Sequence, residues 1–365
     1  MKGRSMKRSF ITIAAVAMLF GLWACGGGSG SQPVTTIYTA GPGATPSPSA
    51  KTLYVDHHGT LYRYALPLHA GEQPSQMLVE APGSANTPQL SVDPFGTIAV
   101  ATTTTVRLFG RPIQSLEPKH AKLTLKLTPA ITEMGPGGAD LVDIEFDPNN
   151  NLWLFNDLGG EISEVAAPIQ KNSVAAVSIP FGAPGTKAAG YTGLIQGRFD
   201  VSAALYVYAN QAATNRSRLF KISFPYAKPP SPVGLDIAQA DFVDSSQYLP
   251  TDPHPNSLLL GQYNGLLSSP PPNQPPPPPS NVLARFSEPF PPAQDLFPNA
   301  HADTIVGALI ADPPREVFYT LDGATGSLAA YALPLQNAAK PQFTIPCPGV
   351  PSDCSEQSEH LYLSP

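Results

Sequence analysis

Strand-like runs recur along this chain at intervals of roughly 45 to 60 residues, and no other property narrows the choice of fold as far. The runs are Leu53-Tyr54-Val55-Asp56, Ile98-Ala99-Val100-Ala101, Leu152-Trp153-Leu154-Phe155, Leu205-Tyr206-Val207-Tyr208, Leu258-Leu259-Leu260-Gly261 and Val317-Phe318-Tyr319-Thr320. A polar turn with Asp, often Asp-Pro, precedes most of them, at Asp93, Asp147, Asp200, Asp252 and Asp312. Such turns read as hairpin connections. A second strand follows each turn after the run, as in Leu61-Tyr62-Arg63-Tyr64 and Leu328-Ala329-Ala330-Tyr331, and Tyr-Ala-Leu-Pro-Leu stands at both Tyr64 and Tyr331. A further strand is expected in most units, at 76–80, 122–127, 173–179 and 342–345. No long stretch carries the 3.6-residue period, so helix should be minor.

Four short antiparallel strands per repeat is the pattern of a β-propeller blade. The expectation is an all-β fold, a six-bladed β-propeller over residues 51–365. Its first unit starts at its second strand, and the missing innermost strand would be supplied by His360-Leu361-Tyr362-Leu363, fastening last to first. An open terminal sheet would otherwise present an unpaired edge. The Asp-Pro or Asp-x-x-Gly turn, the Leu-Tyr-Val-like strand and the Leu-Tyr/Phe-Arg/Lys strand after it resemble the NHL-repeat and gluconolactonase-like group of six-bladed propellers. That resemblance implies a fold that hosts lactonases, lyases, ligand binders and scaffolds alike. The group's enzymes hold one cation with a Glu, two Asn and an Asp. No early Glu motif stands in the expected place here, so the enzymatic set does not carry over.

Residues 1–24 read as an export signal: Lys2, Arg4, Lys7 and Arg8 precede an apolar stretch from Phe10 to Ala24, short of the roughly 20 residues a spanning helix needs. Leu22, Ala24 and Cys25 resemble a bacterial lipobox, with Trp23 departing from the small residue usual there, and the resemblance implies lipidation at Cys25. The other reading is an uncleaved N-terminal anchor. Both place the remainder outside the cytoplasm, attached to the cell membrane. Gly26 in place of the Asp that holds lipoproteins at an inner membrane points to the outer membrane in a cell that has one. Residues 26–50 are a Gly/Ser/Thr/Pro tether, reaching on the order of 80 Å if fully extended.

Loss of the signal removes four positive charges and no acidic ones, taking the formal charge from −6 to −10. Nucleic acid is thereby an unsuitable partner, since a phosphate backbone demands a basic footprint. Membrane attachment must then rest on the lipid rather than on basic residues. The chain has three cysteines, and lipid on Cys25 leaves Cys347 and Cys354. In an oxidising compartment they read as a disulfide worth about 2 to 3 kcal/mol at best, or else as two free thiols.

Chemistry would gather at the face shared by the strand-two-to-three turns and the segments leading into each blade. The candidates are Asp56, His57, His58, Asn156, Asp157, Asn264 and Asp322 on turns, with Asp140, Asp143, Asp244, His301, Asp303 and His360 on leading segments. Converging carboxylate and imidazole groups could hold calcium or another divalent cation. Asp and Asn are equally what tight turns select for their own backbone bonding, and no cofactor is firmly implied. GxSxG, HExxH and phosphate-loop patterns are absent. Residues 268–280 carry two proline runs and must leave the sheet, either as a stiff recognition element or as a tolerated surface insertion. The reading is a monomeric, envelope-anchored propeller that binds a ligand or protein partner as a scaffold, against a metal-dependent lactonase or lyase; a purely structural surface protein is a third class.

Overall fold

The computed structural model describes residues 51–57, 60–79, 89–93, 95–182, 184, 189–199, 204–211, 216–222, 233–234, 243–249, 257–263, 281–287, 295–298, 306–322, 325–333, 340–348 and 359–364; between 233 and 309 it describes backbone only. The strands fall into six antiparallel sheets of four. The first contains β1 (Thr52–His57), β2 (Thr60–Ala65) and β3 (Gln76–Val79); the second β4 (Gln89–Val92), β5 (Ile98–Ala101), β6 (Thr105–Phe109) and β7 (Leu123–Lys126). The third has β8 (Leu141–Phe146), β9 (Leu152–Asn156), β10 (Glu161–Val165) and β11 (Val177–Pro180). The fourth has β12 (Gly193–Phe199), β13 (Leu205–Gln211), β14 (Arg216–Ile222) and β15 (Val233–Gly234). The fifth has β16 (Val243–Leu249), β17 (Ser257–Tyr263), β18 (Asn281–Ser287) and β19 (Asp295–Pro298). The sixth has β20 (Val306–Asp312), β21 (Val317–Asp322), β22 (Leu328–Ala332) and β23 (Phe343–Ile345). Strand β24 (Glu359–Ser364) pairs with β1, Thr52 opposite Ser364 and Asp56 opposite His360.

Each sheet is a meander, and the second strands β1, β5, β9, β13 and β21 bury their described side chains on both faces, which is why those strands read as unbroken apolar runs. Alternate residues go to opposite neighbours. Leu152 and Leu154 pack with Ala99, Val106 and Leu108 of the second sheet. Trp153 and Phe155, one step along, pack with Leu205, Val207 and Phe220 of the fourth. Leu53 and Val55 likewise meet Tyr319 and Leu321 of the sixth sheet, while Tyr54 meets Leu90, Ile98 and Val100 of the second. Face-to-face packing of successive four-stranded sheets makes this an all-β propeller fold. The first strands form a succession: β24 lies against β4, β4 against β8, β8 against β12, β12 against β16, β16 against β20, and β20 against β24.

The Asp-Pro turns join first strands to second strands. Asp93 Oδ1 accepts the N–H groups of Phe95 (2.8 Å) and Thr97 (2.7 Å), and Asp147 Oδ1 those of Asn149 (2.9 Å) and Asn151 (2.8 Å). Three residues after each Asp the backbone is left-handed, at Gly96 (φ 82°) and Asn150 (φ 67°), the residue types that tolerate this region. A second recurrent device was not foreseen. The pairing of first to second strand shifts register by a bulge between Leu141 and Asp143, Leu194 and Gln196, Val243 and Ser245, and Val306 and Ala308. Bulges re-aim side chains and bend the strand that carries them. Cys25, the tether, Cys354 and the Pro-rich segment 268–280 lie outside the described residues. Among the described residues no helix is long and apolar enough to cross a membrane.

Candidate functional site

Four first strands contribute to one buried polar cluster centred on Arg198 of β12. Its Nη1 donates to Asp143 Oδ2 of β8 at 3.0 Å and lies 3.5 Å from Glu145 Oε2 on the same strand. Its Nη2 stands 2.8 Å from Nδ1 of His360 on β24. Ser91 of β4 donates to Glu145 Oε2 at 3.4 Å and accepts the Phe146 N–H at 3.3 Å. Tyr362, two residues along β24 from His360, donates its hydroxyl to the Leu90 carbonyl. A guanidinium has only donors, so His360 Nδ1 is the acceptor and the proton of its neutral ring sits on Nε2.

Local structure makes this possible. The β8 bulge carries Asp143 into register with Phe155, and Asp143 Oδ2 receives the Gly197 N–H at 2.9 Å. Gly197 permits that approach, because a Cβ there would lie 1.9 Å from Cζ of Phe155. Asp143 is fully buried, and its Oδ1 has no hydrogen-bond partner among the described residues. Burial pushes the Asp143 carboxyl up against the pull of Arg198. Burial likewise pushes Glu145 up to about 7, an effect tempered by the 18% exposure its side chain retains. Burial, reinforced by the Arg198 charge, pulls His360 down to about 3, so the ring is neutral near pH 7.

The structure brings together two of the sequence candidates, Asp143 and His360, and links them through Arg198. The remaining described candidates serve the fold. Asp56 and His57 are strand residues rather than turn residues: β1 pairs without interruption to β2 and β24 through His57. Both are buried, His57 sits edge-on to Tyr62 at 5.5 Å, and burial pulls its imidazole down to about 4. Asn156 is completely buried; its Oδ1 accepts from the Asp140 and Leu158 N–H groups, and its Nδ2 donates to Thr132 Oγ1 and the Glu133 carbonyl. Asp157 Oδ1 takes the Leu194 N–H at 2.9 Å, tying the third sheet's turn to the fourth sheet. Asp322 Oδ1 takes the Thr325 N–H at 3.0 Å. Asp244 falls at the bulge of β16. His58, Asn264, His301 and Asp303 lie outside the described residues.

Among the described residues no three His, Cys, Asp or Glu side chains gather in a way that could hold a metal ion. Sequence reading overlooked Arg198, Glu145, Ser91 and Tyr362. The one available signal was charge in a chain with few charged residues: Asp143 and Glu145 share a face of β8, two residues apart.

No family model matches the chain, and no curated protein matches it. Solved structures do. The β-propeller domain of Myceliophteria thermophila Cps50 (Swd1) is similar at 12% identity and a TM-score of 0.48, covering 82% of this chain and 83% of that one. The WD40 domain of Toxoplasma gondii coronin is similar at 12% identity and a TM-score of 0.46, covering 84% and 72%. A catalytically inactive virginiamycin B lyase from Staphylococcus aureus, solved with quinupristin, is similar at 12% identity and a TM-score of 0.40, covering 77% and 79%. At such identities the likeness concerns the fold alone.

Proposed function

We propose that this chain is an exported scaffold: a closed six-bladed ring of the NHL-repeat-like kind, held to the cell envelope by lipid on Cys25, that binds a ligand or protein partner through its loops. One observation carries the scaffold reading. The polar side chains at the described strand-two-to-three turns engage backbone groups, as Asn156, Asp157 and Asp322 do, so they stiffen the loops rather than converge on a reaction centre. The circular succession of first strands and the β1–β24 ladder support closure of the ring. A disulfide between Cys347 and Cys354, just ahead of the closing strand, belongs to this reading and would restrict the loop that delivers β24.

The test uses the full chain expressed in a bacterial host. Radiolabelled palmitate should enter the protein and be lost in Cys25→Ser. The purified protein should turn over no member of a lactone panel, with or without divalent cations, and its melting midpoint should be the same in calcium and in chelator. Cation-dependent turnover, or a midpoint several degrees higher in calcium, would replace the scaffold with the metal-dependent lactonase or lyase alternative. Deleting residues 359–365 should lower the midpoint by many degrees; an unchanged midpoint rejects closure by β24.

A further inference from the structure

Along the succession of first strands, β12 and β24 are separated by β4 and β8. The Arg198 to His360 hydrogen bond therefore reaches past two intervening strands, unlike the ladder bonds that hold neighbours. We propose that Arg198 and His360 form an acid-responsive bolt across the first strands: it secures β24 while the imidazole is neutral and lets β24 go when the imidazole gains a proton.

The chemistry follows from donor and acceptor counts. Arg198 offers only N–H groups, so the 2.8 Å contact exists because Nδ1 of His360 carries a lone pair. An imidazolium has N–H on both nitrogens. Protonation turns the contact into two donors and two positive charges face to face, in a largely buried site. The surrounding groups bias the bolt in a defined way. From β8, Asp143 and Glu145 hold the guanidinium in place, and both are acids that burial pushes toward their neutral forms. Acidification thus weakens the grip on Arg198 and charges its partner. From β1, Asp56 stands opposite His360 in the ladder, and His57 follows it. β4 (Gln89–Val92) carries no titratable side chain, its Ser91 being bonded to Glu145, and from β20 the only titratable residue is Asp312, already bonded to Arg315 at 2.7 Å. On β24 itself Tyr362 is occupied with the Leu90 carbonyl. Asp143 is paired with Nη1 of Arg198, whereas His360 meets Nη2.

The direction of the effect is fixed. A group whose native form resists protonation supports the fold above its ordinary value and withdraws that support as pH falls toward its native value. For His360 the window runs from about 6.5 down to about 3. The contact joins β24 to β12 and involves neither β9 nor β10, so β24 should open before those two strands.

Amide exchange of the 359–364 segment in the full chain, normalised to the chemical exchange rate at each pH, tests the proposal. Protection of this segment should fall at least tenfold relative to β9 and β10 between pH 6 and pH 4, before global unfolding. His360→Gln keeps a carbonyl acceptor for Arg198 and cannot gain a proton; in that variant the acid-dependent loss should vanish. An identical acid profile in the variant, or loss of protection simultaneous with β9 and β10, overturns the bolt. Should the variant fail to fold, nitrogen NMR of histidine-labelled wild type decides: Nδ1 of His360 should read as an unprotonated acceptor at pH 5, and an imidazolium signal there overturns the proposal.

Discussion

Replacing Arg198 by Met keeps most of the aliphatic stem and removes the charge, and the consequences are set by what stays behind. Asp143 is completely buried and would keep only the Gly197 N–H on Oδ2, its Oδ1 already lacking a partner among the described residues. At an effective dielectric of about 20, the attraction lost at 3.0 Å is about 5 kcal/mol. The full loss is not realised, because the stranded carboxyl takes up a proton instead. That escape sets a ceiling: relative to an unfolded Asp near pH 3.9, holding the group neutral at pH 7 costs about 4 kcal/mol, and at pH 5 about 1.5 kcal/mol. The first figure lies within the roughly 3 to 5 kcal/mol typical of breaking a buried pair from one side. Glu145, already near 7, adds little. In a domain of this size each kcal/mol moves the midpoint by about 2 °C, so Arg198→Met should melt about 6 to 8 °C lower at pH 7 and about 3 °C lower at pH 5. The sign is firm: the variant's native state binds the extra proton, so its deficit grows as pH rises. Adding Asp143→Asn, which keeps an acceptor for Gly197 and abolishes the charge, should recover more than half of the loss. Scanning calorimetry of the three proteins from pH 5 to 8 measures this. A deficit below 1 kcal/mol, or one that does not change with pH, would refute the reasoning that Arg198 neutralises a buried carboxylate.

Gly197→Ala would place a methyl 1.9 Å from the Phe155 ring and should lower stability by about 2 kcal/mol or more in thermal melts, with partial rescue by Phe155→Leu. His57, pulled by burial from 6.5 to about 4, supports the fold above pH 6.5 and withdraws that support as pH falls to 4; His57→Phe should flatten the acid limb of a stability-versus-pH curve while keeping a ring beside Tyr62. Asp147→Ala removes an acceptor for two backbone N–H groups, for Asn151 Nδ2 at 2.8 Å and for Trp153 Nε1 at 3.3 Å, and should cost about 3 kcal/mol in denaturant titrations. Asp322→Ala, with one backbone N–H at 3.0 Å, should cost about 1 kcal/mol or less in the same assay.

Second strands announced themselves because both of their faces are covered. Leu152-Trp153-Leu154-Phe155 has no solvent side, so it reads as a run rather than an alternation. The Asp-Pro turns were equally visible, since the Asp is chosen by its own backbone two and four residues on. The first strands were not visible, apart from the C-terminal one. Their residues answer to partners far along the chain: Arg198 meets Asp143 at a separation of 55 residues and His360 at 162. A window of a dozen residues around Leu141–Phe146 or Gly193–Phe199 shows a broken apolar pattern with isolated charges, because the bulge and the buried ion pair both depart from period two.

The same physics explains why the site candidates divided as they did. A carboxylate or amide beside a turn finds unsatisfied N–H groups within a few residues, and Asn156, Asp157 and Asp322 took that local or near-local route. Asp143 and Glu145 sit in the middle of a strand, where the backbone is already engaged by the ladder. No nearby N–H can neutralise two buried acids there, so a distant cation has to be imported, and Arg198 arrives from the next sheet. Once a guanidinium occupies that position, a neutral imidazole acceptor on β24 becomes more favourable than any donor or cation. Asp143, Glu145, Arg198 and His360 are thus consequences of one another. Replacing any one should shift the titration of those acids and the imidazole that remain, Arg198 staying charged throughout, whereas the turn residues should answer to substitution independently.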